Sequence, residues 1–138
     1  MAQFVFKNAF LSVNGVNLSS LVKSLTTNKN FAEVPATCMG NAAEYSLPGL
    51  EQPEITVDFG QDFATGLVHQ TLVGLNGGAT FPVVARADAG VIAVTNPQAN
   101  MTARLFNYSP IGGSVGDLAT TSVTFKSGDG TAMTITTA

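Results

Sequence analysis

The stretch Glu54-Ile55-Thr56-Val57-Asp58-Phe59 decides the fold class of this 138-residue chain. Polar and apolar residues alternate along it, and a period of two is typical of a strand with one buried face. The apolar residues are therefore predicted to face a core, which leaves Glu54, Thr56 and Asp58 on the outward face. A slip of one residue would bury two carboxylates, so the sequence specifies this orientation strongly.

Strand patterns continue on both sides of this stretch. Asn14-Gly15 is the dipeptide that best fits a type I′ hairpin turn, so it is predicted to join short strands at 9–13 and 16–18. Ser19 and Ser20, which follow, are expected to cap one helical turn. Further strands are predicted at 24–28, 80–87, 100–108, 119–126 and 132–136.

One helix is predicted over about 62–76. Asp62 is a good N-cap, and Asn76-Gly77-Gly78 fits a left-handed C-cap. On a helical wheel the larger apolar residues share one half, and they are Phe63, Leu67, Val68, Leu72 and Leu75. Gly66 and Gly74 each cost about 1 kcal/mol relative to alanine, so the helix must rely on packing its apolar face against the sheet.

The segment at about 29–50 shows little periodicity and contains two prolines and two glycines. It is predicted to be a long irregular loop. Its apolar residues are too numerous for a loop in water, so we expect it to become ordered only within an assembly. The subunit-interface residues expected in this loop are Phe31, Val34, Met39, Tyr45, Leu47 and Leu50.

The first eight residues form a second candidate interface. We expect Phe4 and Phe6 to contact another subunit, with packing in the chain's own core as the alternative. The length predicts one domain over residues 1–138, with 1–8 as an N-terminal arm. The predicted fold is mostly β, a β-sandwich or half-open barrel with one flanking α-helix at about 62–76 and a long irregular loop at about 29–50.

Composition argues against several functional classes. Only 11% of the residues are charged and the formal net charge is −3, so a basic surface for nucleic acid is not expected. Soluble monomers usually carry more surface charge, so other subunits are expected to cover part of this surface. The single cysteine, Cys38, has no partner for an internal disulfide. No run of 18 apolar residues occurs, so no membrane partner is predicted.

Candidate catalytic groups are few. His69 is the single histidine, and the wheel places it opposite the apolar half, near Thr65 and Asn76, without a carboxylate partner. Cys38 has no basic neighbour, and one His with one Cys gives no metal-ligand spacing. The glycine-rich run at 112–117 lacks the lysine and the following helix of a phosphate-binding loop. We therefore predict no catalytic residue, cofactor or metal, and no enzyme activity.

Three segments, taken in order and spacing, resemble one protein family. They are SVNGVNL at 12–18 with LVKSLT at 21–26, LPGL at 47–50 leading into TVDFGQDF at 56–63, and NP at 96–97 followed by YSPIGGSVGDLATT at 108–121. Together they resemble the major tail proteins, the tail tube subunits of long-tailed, non-contractile bacteriophages. The resemblance spans nearly the whole chain but includes no catalytic motif.

The resemblance implies a structural virion protein with a helix-flanked β-sandwich fold. Six subunits would close into a ring around a lumen, and the rings would stack through the long loop and the terminal arms. DNA would pass through the lumen transiently, without specific binding. The partners implied are further copies of the chain and other tail proteins such as the tape measure and terminator, and the location is the phage tail, assembled in the host cytoplasm.

A ring of this kind needs a wall that faces the passing DNA. We expect Glu54, Thr56 and Asp58 to line the lumen, because acidic groups repel DNA phosphates. The face with Ser122, Thr124 and Lys126 is the alternative wall. A capsid decoration or cement protein is the alternative function. An extracellular binding module is disfavoured, because the chain has no disulfide and no aromatic clusters.

Overall fold

The computed structural model of the protein describes Val5 and residues 7–137. Within this part of the chain, eight strands form one antiparallel sheet, accompanied by a 3₁₀ turn at Ser19–Leu21 and a short α-helix, α1 (Val68–Val73). The strands are β1 (Phe10–Val13), β2 (Val16–Asn17), β3 (Val22–Pro35), β4 (Ser46–Gly60), β5 (Phe81–Arg86), β6 (Gln98–Leu105), β7 (Thr120–Ser127) and β8 (Thr134–Thr136). The mostly β prediction with a single helix is confirmed.

The alternating stretch at 54–59 lies within the sheet, one strand in from its β3 edge. It forms the second half of β4, and it pairs with β3 on one side and β7 on the other. Ile55, Val57 and Phe59 are fully buried, whereas the polar residues between them are only partly buried. The predicted orientation of this strand is therefore confirmed.

The sheet curls into a half-open barrel. Its strand order is β2-β1-β5-β6-β7-β4-β3, with β8 paired to β6. Although β3 and β5 are far apart in this order, Leu25 of β3 and Ala85 of β5 line the same cavity of about 360 Å³. The seam between them is not hydrogen-bonded, so the barrel is open there. Of the two predicted architectures, the half-open barrel describes the chain, because all strands belong to one sheet.

The core lies inside the curl. Phe81 on β5 meets Phe125 on β7 edge to face, with ring centroids 5.7 Å apart. The β1–β2 hairpin closes against this core with Leu11, Val13 and Leu18 fully buried. Its turn residues Asn14 and Gly15 have φ of +51° and +81°, as the predicted type I′ turn requires.

The helix is shorter than predicted. The expected range was about 62–76, but α1 spans only Val68–Val73. Gly66 has φ of +78°, which an α-helix does not accommodate, so the helix cannot begin before Leu67. Asp62 instead accepts a hydrogen bond from the Ala64 amide at 2.9 Å, and Gly74 forms the C-cap. The glycines that the sequence offered as a tolerable cost therefore set both ends of the helix.

Part of the predicted apolar helix face reaches the core. Val68 and Leu72 are fully buried, and Leu75 packs against the same cluster. Phe63 was expected on this face, but it precedes the helix and is 57% exposed. Its placement was wrong because the wheel extended helical geometry through Gly66.

The segment at 29–50 is not an irregular loop. It contains the end of β3, the turn at 36–45 and the start of β4, which pair as far as Pro35 with Ser46. Since β7 pairs with β4 only from Glu54 onward, residues 29–53 form a two-stranded extension of the sheet, here called the ribbon. Both ribbon faces are largely exposed, so no alternation marks these strands in the sequence. The prediction of an irregular loop is therefore wrong for 29–35 and 46–50, whereas order that depends on assembly stays a prediction.

A register shift in the ribbon explains one of its glycines. The pairing slips between Phe31 and Glu33, which lets the strands twist locally. A Cβ at Gly49 would lie 3.0 Å from Val34 Cγ2 and 3.3 Å from Ala32 Cβ. Gly49 is therefore required for the close approach of the two strands, although it made the segment resemble a loop.

Replacing Leu72 with alanine tests the helix packing. We expect Leu72→Ala to reduce the free energy of unfolding by about 2–5 kcal/mol, because it leaves a cavity beneath α1. The neighbouring control Val73→Ala removes a side chain that is 51% exposed, and it should change stability by only about 0.5 kcal/mol. Denaturant melts measure both, and similar values for the two variants would contradict the packing of α1.

Candidate assembly surfaces

The ribbon carries the predicted interface residues. Most large apolar side chains of a monomer should be buried, but Leu50 is 85% exposed and Met39, at the tip, is fully exposed. The other four predicted interface residues of the ribbon are each about half exposed, and they are Phe31, Val34, Tyr45 and Leu47. The structure therefore brings all six ribbon residues onto one protruding element. Phe4 and Phe6, the other two predicted interface residues, lie outside the described residues.

The base of the ribbon is tied to the body of the domain. Glu51 forms an ion pair with Lys29 across the two ribbon strands. Its other carboxylate oxygen accepts the Met133 amide at 2.6 Å, and Lys29 Nζ donates to the Met133 carbonyl at 2.6 Å. Mainly through the Lys29 ammonium, this arrangement holds the pKa of Glu51 below its ordinary value. The ribbon is thus attached to the segment before β8 as well as to the sheet.

The outward face of β3, β4 and β7 is polar and rich in hydroxyl groups. The strand registers set its residues side by side in three rungs, which are Ser24–Asp58–Ser122, Thr26–Thr56–Thr124 and Asn28–Glu54–Lys126. Within the first rung, Ser24 Oγ donates to Asp58 Oδ2 at 2.7 Å. In the second, Thr56 Oγ1 and Thr124 Oγ1 are 3.5 Å apart. We call this surface the hydroxyl face.

The register between β4 and β7 shows that the two surfaces predicted as alternative lumen walls are one surface. Ser122, Thr124 and Lys126 were set against Glu54, Thr56 and Asp58 as a different face. Since β4 and β7 pair in register, the two sets belong to the same face. Alternation within each strand can be seen in the sequence, but the pairing between the two strands cannot, so the two sets could not be recognised as one face.

Charges on the hydroxyl face are mixed. Lys126 stands directly opposite Glu54, and Arg104 on β6 stands opposite Lys126. Hydrogen bonds from Ser122 and Ser24 hold the pKa of Asp58 below its ordinary value of 3.8. The face is therefore not a purely acidic wall, because cations accompany its two carboxylates.

A second group of exposed apolar residues lies in the connection between β6 and β7. The most exposed are Ile111 and Val115, at 87% and 106%. The connection is anchored by Tyr108, whose hydroxyl accepts a hydrogen bond from Gln61 Nε2 at 3.0 Å. Gln61 Nε2 also donates to the Pro110 carbonyl at 2.7 Å. This apolar loop is therefore held in place at its start.

His69 belongs to this anchor rather than to a free helix face. Its Nδ1 lies 2.9 Å from the Tyr108 hydroxyl, and its ring packs 4.9 Å from the Phe63 ring. The predicted neighbours were Thr65 and Asn76, which a regular helix would have placed beside it. Tyr108 could not be found from the wheel, because it is distant in sequence and reaches His69 only through the fold.

The candidate metal-binding and nucleophilic groups lie apart from one another in the described part of the chain. Within the described residues, no three His, Cys, Asp or Glu side chains come together as a metal site. Cys38 is exposed near the ribbon tip, and the glycine-rich run at 112–117 leads into β7 rather than a helix. No helix in this part of the chain has the length and apolar character needed to cross a membrane.

Several solved structures share the fold of this protein. No family model and no curated protein match the chain. A chain in the virion of the native gene transfer agent (GTA) particle is 12% identical, with a TM-score of 0.75 over 97% of this chain and 99% of that one. A chain in the sheath–tube complex of PVC, an extracellular contractile injection system in its extended state, is 13% identical, with a TM-score of 0.67 over 99% and 93%.

A third similar structure is the tail of the empty GTA particle, refined with C6 symmetry. One of its chains is 12% identical, with a TM-score of 0.61 over 94% of both chains. At these identities the likeness establishes the fold, and it extends over nearly the entire chain. The fold is therefore one that occurs in phage-like particles. Because the matched particles include a contractile system, the fold alone does not separate contractile from non-contractile tails.

The hydrogen bonds in the Ser24–Asp58–Ser122 rung lead to a prediction about the pKa of Asp58. We expect Ser122→Ala to raise the pKa of Asp58 toward 3.8, and to do so more than Ser24→Ala, because the Ser122 hydrogen bond is the larger cause of the shift. Since the folded-state pKa is depressed, the ionised carboxylate stabilises the fold above the unfolded pKa, and this stabilisation is lost as the pH falls through the folded-state pKa.

Carboxyl ¹³C NMR titration measures the pKa of Asp58 in each variant. Thr124→Val is the matched control, because it removes a hydroxyl from the adjacent rung and should leave Asp58 unchanged. An Asp58 pKa that is the same in Ser122→Ala as in the parent would show that the rung does not form in solution.

Proposed function

We propose that this protein is a structural subunit of the tail tube of a phage-like particle, in which rings of the chain stack into a conduit for DNA. The ribbon is the observation that carries this proposal. It is an ordered, apolar element that projects beyond the sheet, and its exposed side chains gain partners only in an assembly. Support comes from the fold, which is shared with chains of a GTA tail and of a PVC sheath–tube complex.

Ring closure would use the edge of the sheet. Among the described strands, β3 lies at one end of the order and pairs with β4 alone, so one side of its backbone is available to another chain. An unpaired edge of 14 residues is a ready template for strand addition. We propose rings of six, in keeping with the C6 symmetry of the GTA tail that shares this fold. Pairing at β3 would also cover the open seam of the barrel.

Stacking of the rings would use the ribbon. Its strand from Lys29 to Pro35 adds about 23 Å beyond the sheet at the usual rise of a β-strand, which is enough to reach an adjacent ring. Full burial of an exposed leucine contributes about 1.5–3 kcal/mol, so Leu47 and Leu50 alone would stabilise each contact substantially. The N-terminal arm, residues 1–8, is proposed as a second contact between subunits.

The hydroxyl face is proposed as the lumen wall. Its hydroxyl groups and balanced charges offer little that would hold a polyanion, and each ring of six would carry a formal charge of about −18. Mobility of the DNA would then come from the absence of a cationic track more than from repulsion by Glu54 and Asp58.

The remaining elements of the role follow from this assembly. The chain would act as a single structural domain over residues 1–138, without a catalytic step. It would be assembled in the host cytoplasm and located in the virion tail, with tape measure and terminator proteins as partners. A tail of the long, non-contractile type is our proposal, based on the sequence resemblance.

Electron microscopy of the purified chain tests the assembly. On concentration, we expect rings about one subunit thick and tubes built from them. Trimers, or binding only to capsids, would instead support a decoration or cement protein, and persistent monomers would contradict both functions.

A ribbon variant tests the stacking contact. The double variant Leu47→Ser and Leu50→Ser should still fold and form rings, but it should not form tubes, because the apolar contact between rings is lost. The control Val73→Ser also removes an exposed apolar side chain, on α1. Negative-stain electron microscopy measures tube formation. If both variants form tubes equally well, the ribbon is not the stacking element.

A charge variant tests the lumen wall. Glu54→Lys with Asp58→Lys adds about +24 to a ring of six, so tubes assembled with duplex DNA should retain nuclease-protected DNA at low salt and release it at high salt. The control Glu33→Lys with Glu44→Lys adds the same charge on the ribbon. Equal protection in both variants would place the hydroxyl face outside the lumen.

A further inference from the structure

The support of β4 changes at Glu54. From Glu54 to Gly60 the strand is flanked by β3 and β7, but over Ser46–Pro53 the described strands supply only β3 as a neighbour. Two-stranded ribbons in water are marginally stable and are free to twist and bend. An element of this kind needs a second attachment if it is to project in one direction.

Glu51, Lys29 and Met133 supply that attachment. Each member bonds the other two: Lys29 Nζ contacts the Glu51 carboxylate and the Met133 carbonyl, and Glu51 accepts the Met133 amide. The Met133 side chain is 1% exposed and belongs to the core cluster. The Glu51 side chain is only 8% exposed. The contact therefore joins the ribbon to the core of the domain by charge-assisted hydrogen bonds. We call it the base lock.

We propose that Glu51 is a positioning residue for assembly, whose negative charge holds the ribbon at the angle needed to meet the next ring. This inference rests on the proposed role of the ribbon in stacking. In this proposal, a polar contact within one subunit controls an apolar contact between subunits. The exposed apolar residues supply the attraction, and the base lock directs them.

The charge of Glu51 gives the lock a dependence on pH. The charged groups that the structure places around Glu51 are Lys29 on β3, Glu54 on β4 and Lys126 on β7. Lys29 lowers the pKa of Glu51, so the lock stays ionised below the ordinary glutamate range. Protonation weakens the lock as the pH falls through the folded-state pKa, and stacking should weaken with it.

The natural cysteine provides a direct probe of the ribbon angle. Cys38 is exposed near the ribbon tip and is the single cysteine in the chain. A spin label there, paired with one at Thr120→Cys on β7, reports the distance from the tip to the sheet. We expect a narrow distance distribution in the parent and a clearly broader one in Glu51→Gln. The control Asp117→Asn, which removes an exposed carboxylate in the connection between β6 and β7, should keep the narrow distribution.

Assembly of the same variants, with their own Cys38 unlabelled, tests the consequence. Glu51→Gln should form rings like the parent, but it should need about tenfold more protein to form tubes, as loss of one charge-assisted contact would produce. Lys29→Gln should act in the same direction. The difference between Glu51→Gln and the parent should shrink as the pH falls through the folded-state pKa of Glu51, a change that a defect in folding alone would not produce.

Three outcomes overturn the inference. They are an unbroadened distance distribution in Glu51→Gln, tube formation equal to that of Asp117→Asn, and a difference from the parent that is independent of pH. Failure of the parent to form tubes would count against the proposed function instead. In that event the distance measurement on monomers still decides whether Glu51 sets the ribbon angle.

Discussion

The pairing of β4 is the constraint on which the rest of the structure depends. Over Glu54–Gly60 the strand has a neighbour on each side and buries one face in the core. Over Ser46–Pro53 it has only β3 among the described strands, and most of its residues are exposed. One strand therefore belongs to two environments. The C-terminal half of β4 helps to build the half-open barrel, and the N-terminal half builds the ribbon, which we assign to assembly.

The proposed function follows from this division. Where β4 lies within the sheet, its outward residues join those of β3 and β7 in the hydroxyl face, which suits a passage for a polyanion. Where β4 leaves the sheet, its apolar residues are exposed and suited to contact another subunit. The base lock at Glu51 lies close to the transition between the two. We thus assign ring closure, stacking of rings and part of the wall of the DNA passage to different parts of the β3–β4 hairpin.

Sequence patterns predicted the parts of the fold that have one buried face. The alternation at 54–59 and at 121–126, and the Asn14-Gly15 turn, all correspond to observed structure, because burial on one side leaves a period of two. The ribbon was missed for the opposite reason, since a hairpin exposed on both faces has no such period. The helix was overextended because a wheel assumes continuous helical geometry, which Gly66 interrupts with its positive φ.

The candidate sites were predictable to a similar degree. The apolar content of 29–50 drew attention to six side chains that are exposed on the ribbon, even though the predicted conformation was wrong. Their assignment to an interface is our proposal, because large exposed apolar groups mark contact sites in any conformation. The contacts of Glu51 with Met133 and of His69 with Tyr108 join distant parts of the sequence, so no local pattern could reveal them. The unity of the hydroxyl face likewise depends on the register between β4 and β7.

Cryo-electron microscopy of the assembled polymer tests the central claim most directly. The account predicts stacked rings of six in which the ribbon of each subunit crosses the boundary to the next ring and the hydroxyl face surrounds an open lumen. A polymer in which the ribbon stays within its own ring, or in which the hydroxyl face lies on the outer surface, would contradict it.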